Sequence, residues 1–373
     1  MKIAILGIKT YPALAGADSV VENLLKHFGK ENTFYLYLTN LDNNPRYSRM
    51  ENINFIYIPT VRSKHLKAFI FFLLSTLHVL VKGRYDIIHV HNSDFGLFNF
   101  ILKLKPKCKI LGTFHGNPYE RDKWGTIAKL YLKISEFFFV RFSDFLTTVS
   151  ERKIEEIPGR YRYKVRYIPN GISKEFRVSA NYELLNSHGL VSQGYLLFVC
   201  GRLDKTKGLH TLVEAYSSIE CNYKLLIIGD FEHDKKYSGY IRELTRGNER
   251  IISIEKLFAK PDLYLFISQA KLFVFPSEIE AMSMVLLEAI MLKVPVICSD
   301  IHENKVIVGD NYKYLFRKSD SRSLQDKILE ALGDKNINSV VDNLYKDISS
   351  NYDWKVLSIQ YENIYSQLLT VNV

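Results

Sequence analysis

Short runs of Val, Ile, Leu and aromatic residues alternate with longer amphipathic stretches from one end of this chain to the other, and the series restarts midway. The first series of strand candidates is KIAILG, TFYLYL, NFIYI, DIIHVH, KILGTFH, DFLTTVS and VRYIPNG. Helical stretches lie between them, among them DSVVENLLKHF and the long WGTIAKLYLKISEFFFVRFS. After IPNGI the pattern resumes with YLLFVCGR, YKLLIIGD, IISIEKL, KLFVFPSE, VPVICSD and YKYLF, each followed by a helix. Strands that are apolar throughout, rather than alternating apolar and polar, belong to parallel sheets covered on both faces.

A chain of 373 residues is long for one core, so the two series predict two doubly wound α/β domains facing each other across a cleft. The expected divisions are residues 1–170, 171–351 and a last helix, 352–373, that returns to the first domain. In such sheets ligands bind beyond the carboxyl ends of the strands, where loops run into helix N-termini. Candidate site residues are therefore sought in polar or glycine-containing clusters just after a strand.

Composition excludes several classes. The four cysteines, Cys108, Cys200, Cys221 and Cys298, are far apart and form no C-x-x-C, so neither a zinc site nor a disulfide framework is expected. A reducing, cytoplasmic setting follows. MKIAILGI is too short in its apolar part for a signal peptide and reads as a first buried strand. The longest apolar stretch, Ala68–Val81, has 14 residues, where a membrane span needs about 20.

Charge is uneven. Residues 1–168 carry 26 Lys+Arg against 14 Asp+Glu, and residues 169–373 carry 24 against 26. The basic half should meet something anionic: phospholipid, a phosphate-bearing acceptor or nucleic acid. Arg62, Lys64, Lys67, Lys82 and Arg84 flank the apolar helix candidate, and KLKPKCK adds four lysines, which suits shallow docking on an anionic membrane face. The rival reading is an ordinary core helix. Nucleic acid is disfavoured, because the basic residues are scattered.

The second half carries the clearest chemistry. In CGRLDKTKGLHTLVEAY, Gly201-Arg202 end a strand and Lys207-Gly208 open a helix. A guanidinium fork and an ammonium so placed suit a diphosphate. In FVFPSEIEAMSMVLLEAIM, Glu280 falls in a strand-to-helix loop and Glu288 in the helix behind it. Backbone N–H groups around Ala281, Met282 and Ser283 form an anion seat at a helix N-terminus. A carboxylate at Glu288 can accept hydrogen bonds from two vicinal hydroxyls, as a ribose offers, and Glu280 can do so for a sugar or stabilise charge at its anomeric carbon.

These segments resemble the signature of the glycosyltransferase family 4 group of GT-B enzymes, G-R-x(4)-K-G followed by E-x7-E. VPVICSDIHENKVI is similar to the family's next segment, and YIPNGI to its interdomain motif. The resemblance implies a GT-B fold of two Rossmann-like domains and a retaining, metal-independent transfer from a nucleotide-diphosphate sugar. It implies that Arg202 and Lys207 hold the donor diphosphate, Glu288 the ribose and Glu280 the transferred sugar. Ala281 stands where members commonly have glycine. Glu255-Lys256 replace a glycine-containing turn near the base, which leaves the base open.

In the first half, LGIKTYPALAGADSVVENLL is not G-x-G-x-x-G and does not support a dinucleotide fold. It resembles the family's first loop, in which Gly16 lets backbone reach the donor phosphates. DIIHVHN and GTFHGNPYERDKWG place His91 and His115 at successive strand ends. The resemblance assigns His115 to the transferred sugar. HGNPYERDKWG also resembles a rhamnosyltransferase-like subgroup, with Arg121, Lys123 and Trp124, beside His91, suited to a phosphate-linked or sugar acceptor. No carboxylate cluster accompanies the histidines, and EHD at Glu232–Asp234 reads as a solvated loop, so no metal is expected.

The expected function is transfer of a hexose or deoxyhexose, rhamnose among them, to a lipid-linked or oligosaccharide acceptor in cell-surface polysaccharide synthesis, without a cofactor. The rival readings are a nucleotide-sugar epimerase on the same fold and a basic membrane- or nucleic-acid-binding module.

Overall fold

The computed structural model describes the chain except residues 14–15, 41–48, 64–65, 106, 121–124, 257 and 371–373. It divides into two compact units, Met1–Gly171 with Trp354–Val373, and Ile172–Asp353.

Unit 1 is built on an eight-stranded sheet: β1 (Lys2–Leu6), β2 (Thr33–Thr39), β3 (Arg49–Met50), β4 (Ile53–Ile58), β5 (Ile87–His91), β6 (Lys109–Phe114), β7 (Phe145–Thr148) and β8 (Val165–Tyr167). Their order is β3-β4-β2-β1-β5-β6-β7-β8, and every neighbouring pair is parallel except β3–β4. β3 has two residues and no apolar run of its own, so periodicity does not reveal it. In β1 the residues Ile3, Ala4, Ile5 and Leu6 are all buried, as a strand covered on both faces requires.

The last helix, Trp354–Thr370, belongs to this unit and packs on the first helix, Ala17–His27. It buries Trp354, Tyr361 and Tyr365, and its Glu362 accepts the Gly29 N–H at 2.7 Å. The helix Lys67–Lys82 turns Phe71, Phe72, Ser75, Thr76 and Val79 inward and leaves Phe69, Leu77 and Val81 exposed.

Unit 2 carries a wholly parallel sheet of β9 (Tyr195–Cys200), β10 (Lys224–Gly229), β11 (Ile251–Ile254), β12 (Leu272–Phe275), β13 (Val296–Ser299) and β14 (Leu315–Phe316). The order is β11-β10-β9-β12-β13-β14. Strand order reverses between β9 and β12, and ligands collect at the carboxyl ends of such a pair. β9 is buried along its whole length and shares a core with Leu212, Val213, Tyr216, Leu225 and Ile227. The loops leaving β9 and β12 are therefore held on a rigid base.

Candidate active site

After β9 the exposed Gly201 and Arg202 lead to Asp204, whose carboxylate accepts the Thr206 N–H at 3.0 Å and closes a short turn, Lys205–Lys207. Gly208 follows at φ 65°, where a methyl group would lie 2.0 Å from the Pro276 carbonyl oxygen. Only glycine lets this turn lie against the segment leaving β12. The Glu278 N–H donates to the Thr206 carbonyl at 2.7 Å and closes the same seam.

That seam brings Lys207 and Glu280 together: the ammonium donates to Glu280 Oε1 at 2.6 Å, with both side chains largely shielded from water. Sequence reasoning gave the two residues separate tasks, and the fold makes them an ion pair. Arg202 is exposed and forms no ion pair among the described residues. Lys207 thus gives one of its three N–H donors to a carboxylate and keeps two, while Arg202 is wholly available to an anion.

Glu280 lies in the loop and Glu288 within the helix Met284–Met291, whose N-cap Ser283 accepts the Leu286 N–H at 3.4 Å. Ala281, Met282 and Ser283 immediately precede the first turn, where N–H groups have no intrahelical acceptor. Ala281 is not among the residues with positive φ, so its methyl in place of glycine carries no backbone strain.

Glu288 is buried. Its Oε1 accepts hydrogen bonds from the Lys260 ammonium, in a short contact, and from the Tyr264 hydroxyl at 3.2 Å. Lys260 and Tyr264 sit one turn apart on the helix Lys260–Ser268. Burial, and then the Glu288 charge, pushes the Tyr264 phenol up, so it stays a donor. Sequence reasoning missed both partners. Their i, i+4 spacing is legible, but only the sheet order says that this helix lies beside Glu288. Glu255, at the position left open for the base, is paired with Arg242, and Lys256 lies 5.0 Å from the Phe258 ring centre.

Unit 1 presents different chemistry. His91 ends β5 and His115 follows β6, and parallel pairing of these strands sets His91 Nδ1 2.9 Å from His115 Nε2 with the rings stacked. Gly7 makes the neighbouring approach possible, since a methyl there would lie 1.9 Å from the His91 carbonyl oxygen. A third histidine, His89, was not singled out from sequence. Two residues back on the same strand, it shares a face with His91, and the ring centres are 4.0 Å apart. His89 Nδ1 meets the Tyr365 hydroxyl at 2.8 Å and Nε2 meets Thr113 Oγ1 at 2.7 Å, itself 2.6 Å from Thr147 Oγ1.

Burial holds all three histidines below their ordinary range: His89 at about 3, His115 at about 4, and His91 well down, with the two neighbouring rings adding to the effect. They act as neutral hydrogen-bonding groups near neutral pH. With Nε2 of His115 engaged by His91, its Nδ1 is the nitrogen left for a hydroxyl.

The loop after β1 is folded back by two acids that sequence reasoning did not single out. Asp18 accepts from the Lys9 and Thr10 N–H groups at 3.2 and 3.1 Å, and Glu22 from the Ala13 N–H at 2.6 Å. Gly16 caps the helix at φ 65° with open space where a side chain would stand. Arg121, Lys123 and Trp124 lie outside the described residues. Before them, Asn117 Oδ1 and the Tyr119 hydroxyl accept from buried Lys153 at 2.7 and 3.4 Å; Lys153 also pairs with Glu136 and Glu156.

EHD has a structural task. Asp234 caps the helix Lys235–Leu244, accepting the Lys236 and Tyr237 N–H groups at 3.1 Å each, and Glu232 pairs with Lys235. Among the described residues no three His, Cys, Asp or Glu side chains gather as metal ligands. Nor is any described helix long and apolar enough to cross a membrane.

Two family descriptions match the chain: Glycosyltransferase Family 4 over residues 14–176 and Glycosyl transferases group 1 over residues 182–351. An uncharacterized glycosyltransferase of Methanocaldococcus jannaschii is 26% identical over 368 residues, covering 96% of each chain. The Escherichia coli UDP-Gal:alpha-D-GlcNAc-diphosphoundecaprenol alpha-1,3-galactosyltransferase is 25% identical over 370 residues, covering 94% of each. Among solved structures, sucrose-phosphate synthase of Thermosynechococcus elongatus has a TM-score of 0.79 at 22% identity, covering 99% of both chains. HepE of Anabaena, in complex with UDP-glucose, has a TM-score of 0.80 at 15% identity, covering 98% of this chain and 100% of its own. With the two parallel Rossmann-like sheets and the strand-end motifs they carry, these matches show that the chain belongs to the GT-B glycosyltransferases of the group 1, family 4 type.

Proposed function

We propose that this glycosyltransferase moves a hexose or deoxyhexose, rhamnose among the candidates, from a nucleotide-diphosphate sugar to a lipid-linked or oligosaccharide acceptor. The setting is cell-surface polysaccharide synthesis on the cytoplasmic side of a membrane. The observation that carries the reading is the unit 2 seam, in which Arg202, the Lys207–Glu280 pair and the N-terminus before Met284 come from the ends of β9 and β12 with Glu288 buried in the helix behind. HepE, of the same fold, was crystallised with UDP-glucose, and the E. coli relative is named for transfer from UDP-Gal to a diphosphoundecaprenol-linked sugar.

In this reading Arg202 and Lys207 neutralise the diphosphate as the bond from the anomeric carbon to its oxygen breaks, helped by the N–H groups of Ala281, Met282 and Ser283. The acceptor hydroxyl forms the new bond to that carbon, and its proton passes to the departing phosphate oxygen. Attack from the side the diphosphate leaves retains the anomeric configuration. Glu280, steadied by Lys207, stabilises positive charge at the anomeric carbon. Glu288 receives the ribose hydroxyls on the oxygen that Lys260 and Tyr264 do not occupy. Neutral His115 hydrogen-bonds the transferred sugar, and His91 orients it. No metal or cofactor is assigned a step.

The test begins with a panel of nucleotide sugars screened for thermal stabilisation, since a ligand of the folded state raises its Tm. Transfer from the stabilising donor is then measured. Arg202→Ala, at an unchanged Tm, and Lys207→Ala, with the fold intact, should lower kcat/KM by orders of magnitude, and full activity in either variant rejects the assignment. Release of an altered donor without any acceptor would instead identify an epimerase, and product of inverted configuration would reject retention.

A further inference from the structure

The helix Thr126–Phe142 is apolar on two sides, and only one of them is explained by the core. Leu132, Ser135, Phe139 and Val140 are buried. On the other side Ile127, Leu130, Ile134 and Phe137 form a stripe at intervals of three, four and three residues, between 43% and 86% exposed. That spacing is one continuous line along a helix, and a stripe of four large apolar side chains facing water is not ordinary surface. The line ends in Arg141, which is exposed.

The apolar surface continues sideways. Phe138 and Phe142 lie edge-on to Phe100, with ring centres 6.2 and 5.2 Å away, and Phe100 and the nearby Leu104 are themselves exposed.

The exposed charge on the helix itself has one sign. The helix carries Lys129, Lys133 and Arg141, and its single acid, Glu136, is turned inward onto buried Lys153 at 2.8 Å. An occupant must therefore offer apolar depth and negative charge together. A second copy of the chain would bring the same cations to the same stripe with no acid on the helix to answer them. A bilayer of anionic lipid meets both requirements: an apolar stripe sinks to the acyl boundary while lysine and arginine stay among the headgroups. At 17 residues the helix is about 25 Å long and lies in the interface rather than across it.

We propose that the solvent face of Thr126–Phe142, flanked by Phe100 and Leu104, docks this protein on an anionic lipid surface. The proposal deepens the reading of a lipid-linked acceptor and rests on it for its purpose.

The experiment is co-sedimentation of the full chain with vesicles of phosphatidylcholine alone or with about a third phosphatidylglycerol, at low and high salt. The wild type should bind the anionic vesicles, weakly or not at all the neutral ones, and lose binding as salt rises. Ile134→Glu with Phe137→Glu should weaken binding at least tenfold at an unchanged Tm. A control with the same charge change in unit 2, Val191→Glu with Leu329→Glu, also at exposed positions, should bind as the wild type does. Equal binding by the double variant and the wild type overturns the proposal, as does a wild type that ignores anionic vesicles. A lipid-free dimer that Ile134→Glu with Phe137→Glu makes monomeric assigns the face to a second copy and overturns it too. Vesicle binding does not read transfer, so a chain that binds lipid but moves no sugar sinks the functional reading alone.

Discussion

The strand ends of unit 1 and unit 2 deal with charge in opposite ways. In unit 2 the residues after β9, β11 and β12 are ions: Lys207 against Glu280, Lys260 against Glu288, and Arg202 in solvent. In unit 1 the residues of β5 and the one just after β6 are three adjoining histidines that burial keeps neutral, with His89 tied to Tyr365 and Thr113. A diphosphate needs countercharge and fixed N–H dipoles, whereas a sugar offers only hydroxyls and is matched by neutral donors and acceptors. The same parallel-sheet architecture thus supports an ionic site in one unit and an uncharged one in the other.

The comparison is most easily broken at the ionic end. Lys207→Ala removes the proposed diphosphate contact and leaves Glu280 without its partner; kcat/KM should fall about a thousandfold, the range known for loss of one preorganised donor to developing charge. An equal loss on replacing a unit 1 histidine, with Lys207→Ala nearly silent, would reverse the assignment of roles.

The seam that makes the pair is tested next. Gly208→Ala puts a side chain at positive φ and against the Pro276 carbonyl, and unit 2 should lose about 1–3 kcal/mol from the backbone strain alone, more with the clash. Denaturant unfolding measures it, and an unaltered midpoint would mean that the two loops are not packed as described.

Glu288→Gln keeps the shape but removes the charge held by Lys260. The preference for a ribonucleoside diphosphate over its 2′-deoxy form should shrink by about tenfold, the worth of one charge-assisted hydrogen bond. An unchanged preference would leave Glu288 a structural partner of Lys260.

The neutral cluster predicts a pH effect of known sign. Its histidines titrate below the free value of about 6.5. Between there and about 4 the unfolded chain binds more protons than the folded one, so stability is intact above 6.5 and is lost progressively as pH falls toward 4. His89→Asn should flatten that part of the Tm profile, and a profile identical to the wild type would show that His89 carries none of the effect.

The smallest effect concerns Asp234. Asp234→Ala should cost about 1 kcal/mol as a lost helix cap and leave transfer unaltered. Loss of activity restored by added Mg²⁺ would instead make EHD a metal-binding segment.

Much of this was legible before any coordinates. Among the described residues, apolar runs locate thirteen strands, and only Arg49–Met50, too short to carry a period, escapes. The motif residues Arg202, Lys207, Glu280 and Glu288 are named from the chain because their types suit a diphosphate and a ribose beside a helix N-terminus and because their spacing resembles the family's signature. Their partners were not legible. Lys260, Tyr264, His89 and Tyr365 sit on separate elements, and which element lies beside which is a matter of strand order rather than of local pattern.

What the sequence by itself determined is the fold class, since it follows from side-chain chemistry at short range in the burial of apolar runs on two faces; the cations set at strand ends supply the reading of the ligand that is proposed. What only the tertiary structure decided is how those charges are spent. Pairing depends on distances of a few ångströms between residues tens to hundreds of positions apart, from Lys207 and Glu280 across a glycine seam to His89 and Tyr365 joined by the last helix. Exposure is likewise a property of the folded surface. The inner and outer faces of Thr126–Phe142 have similar apolar content in the sequence, and only packing shows which of them is left to water.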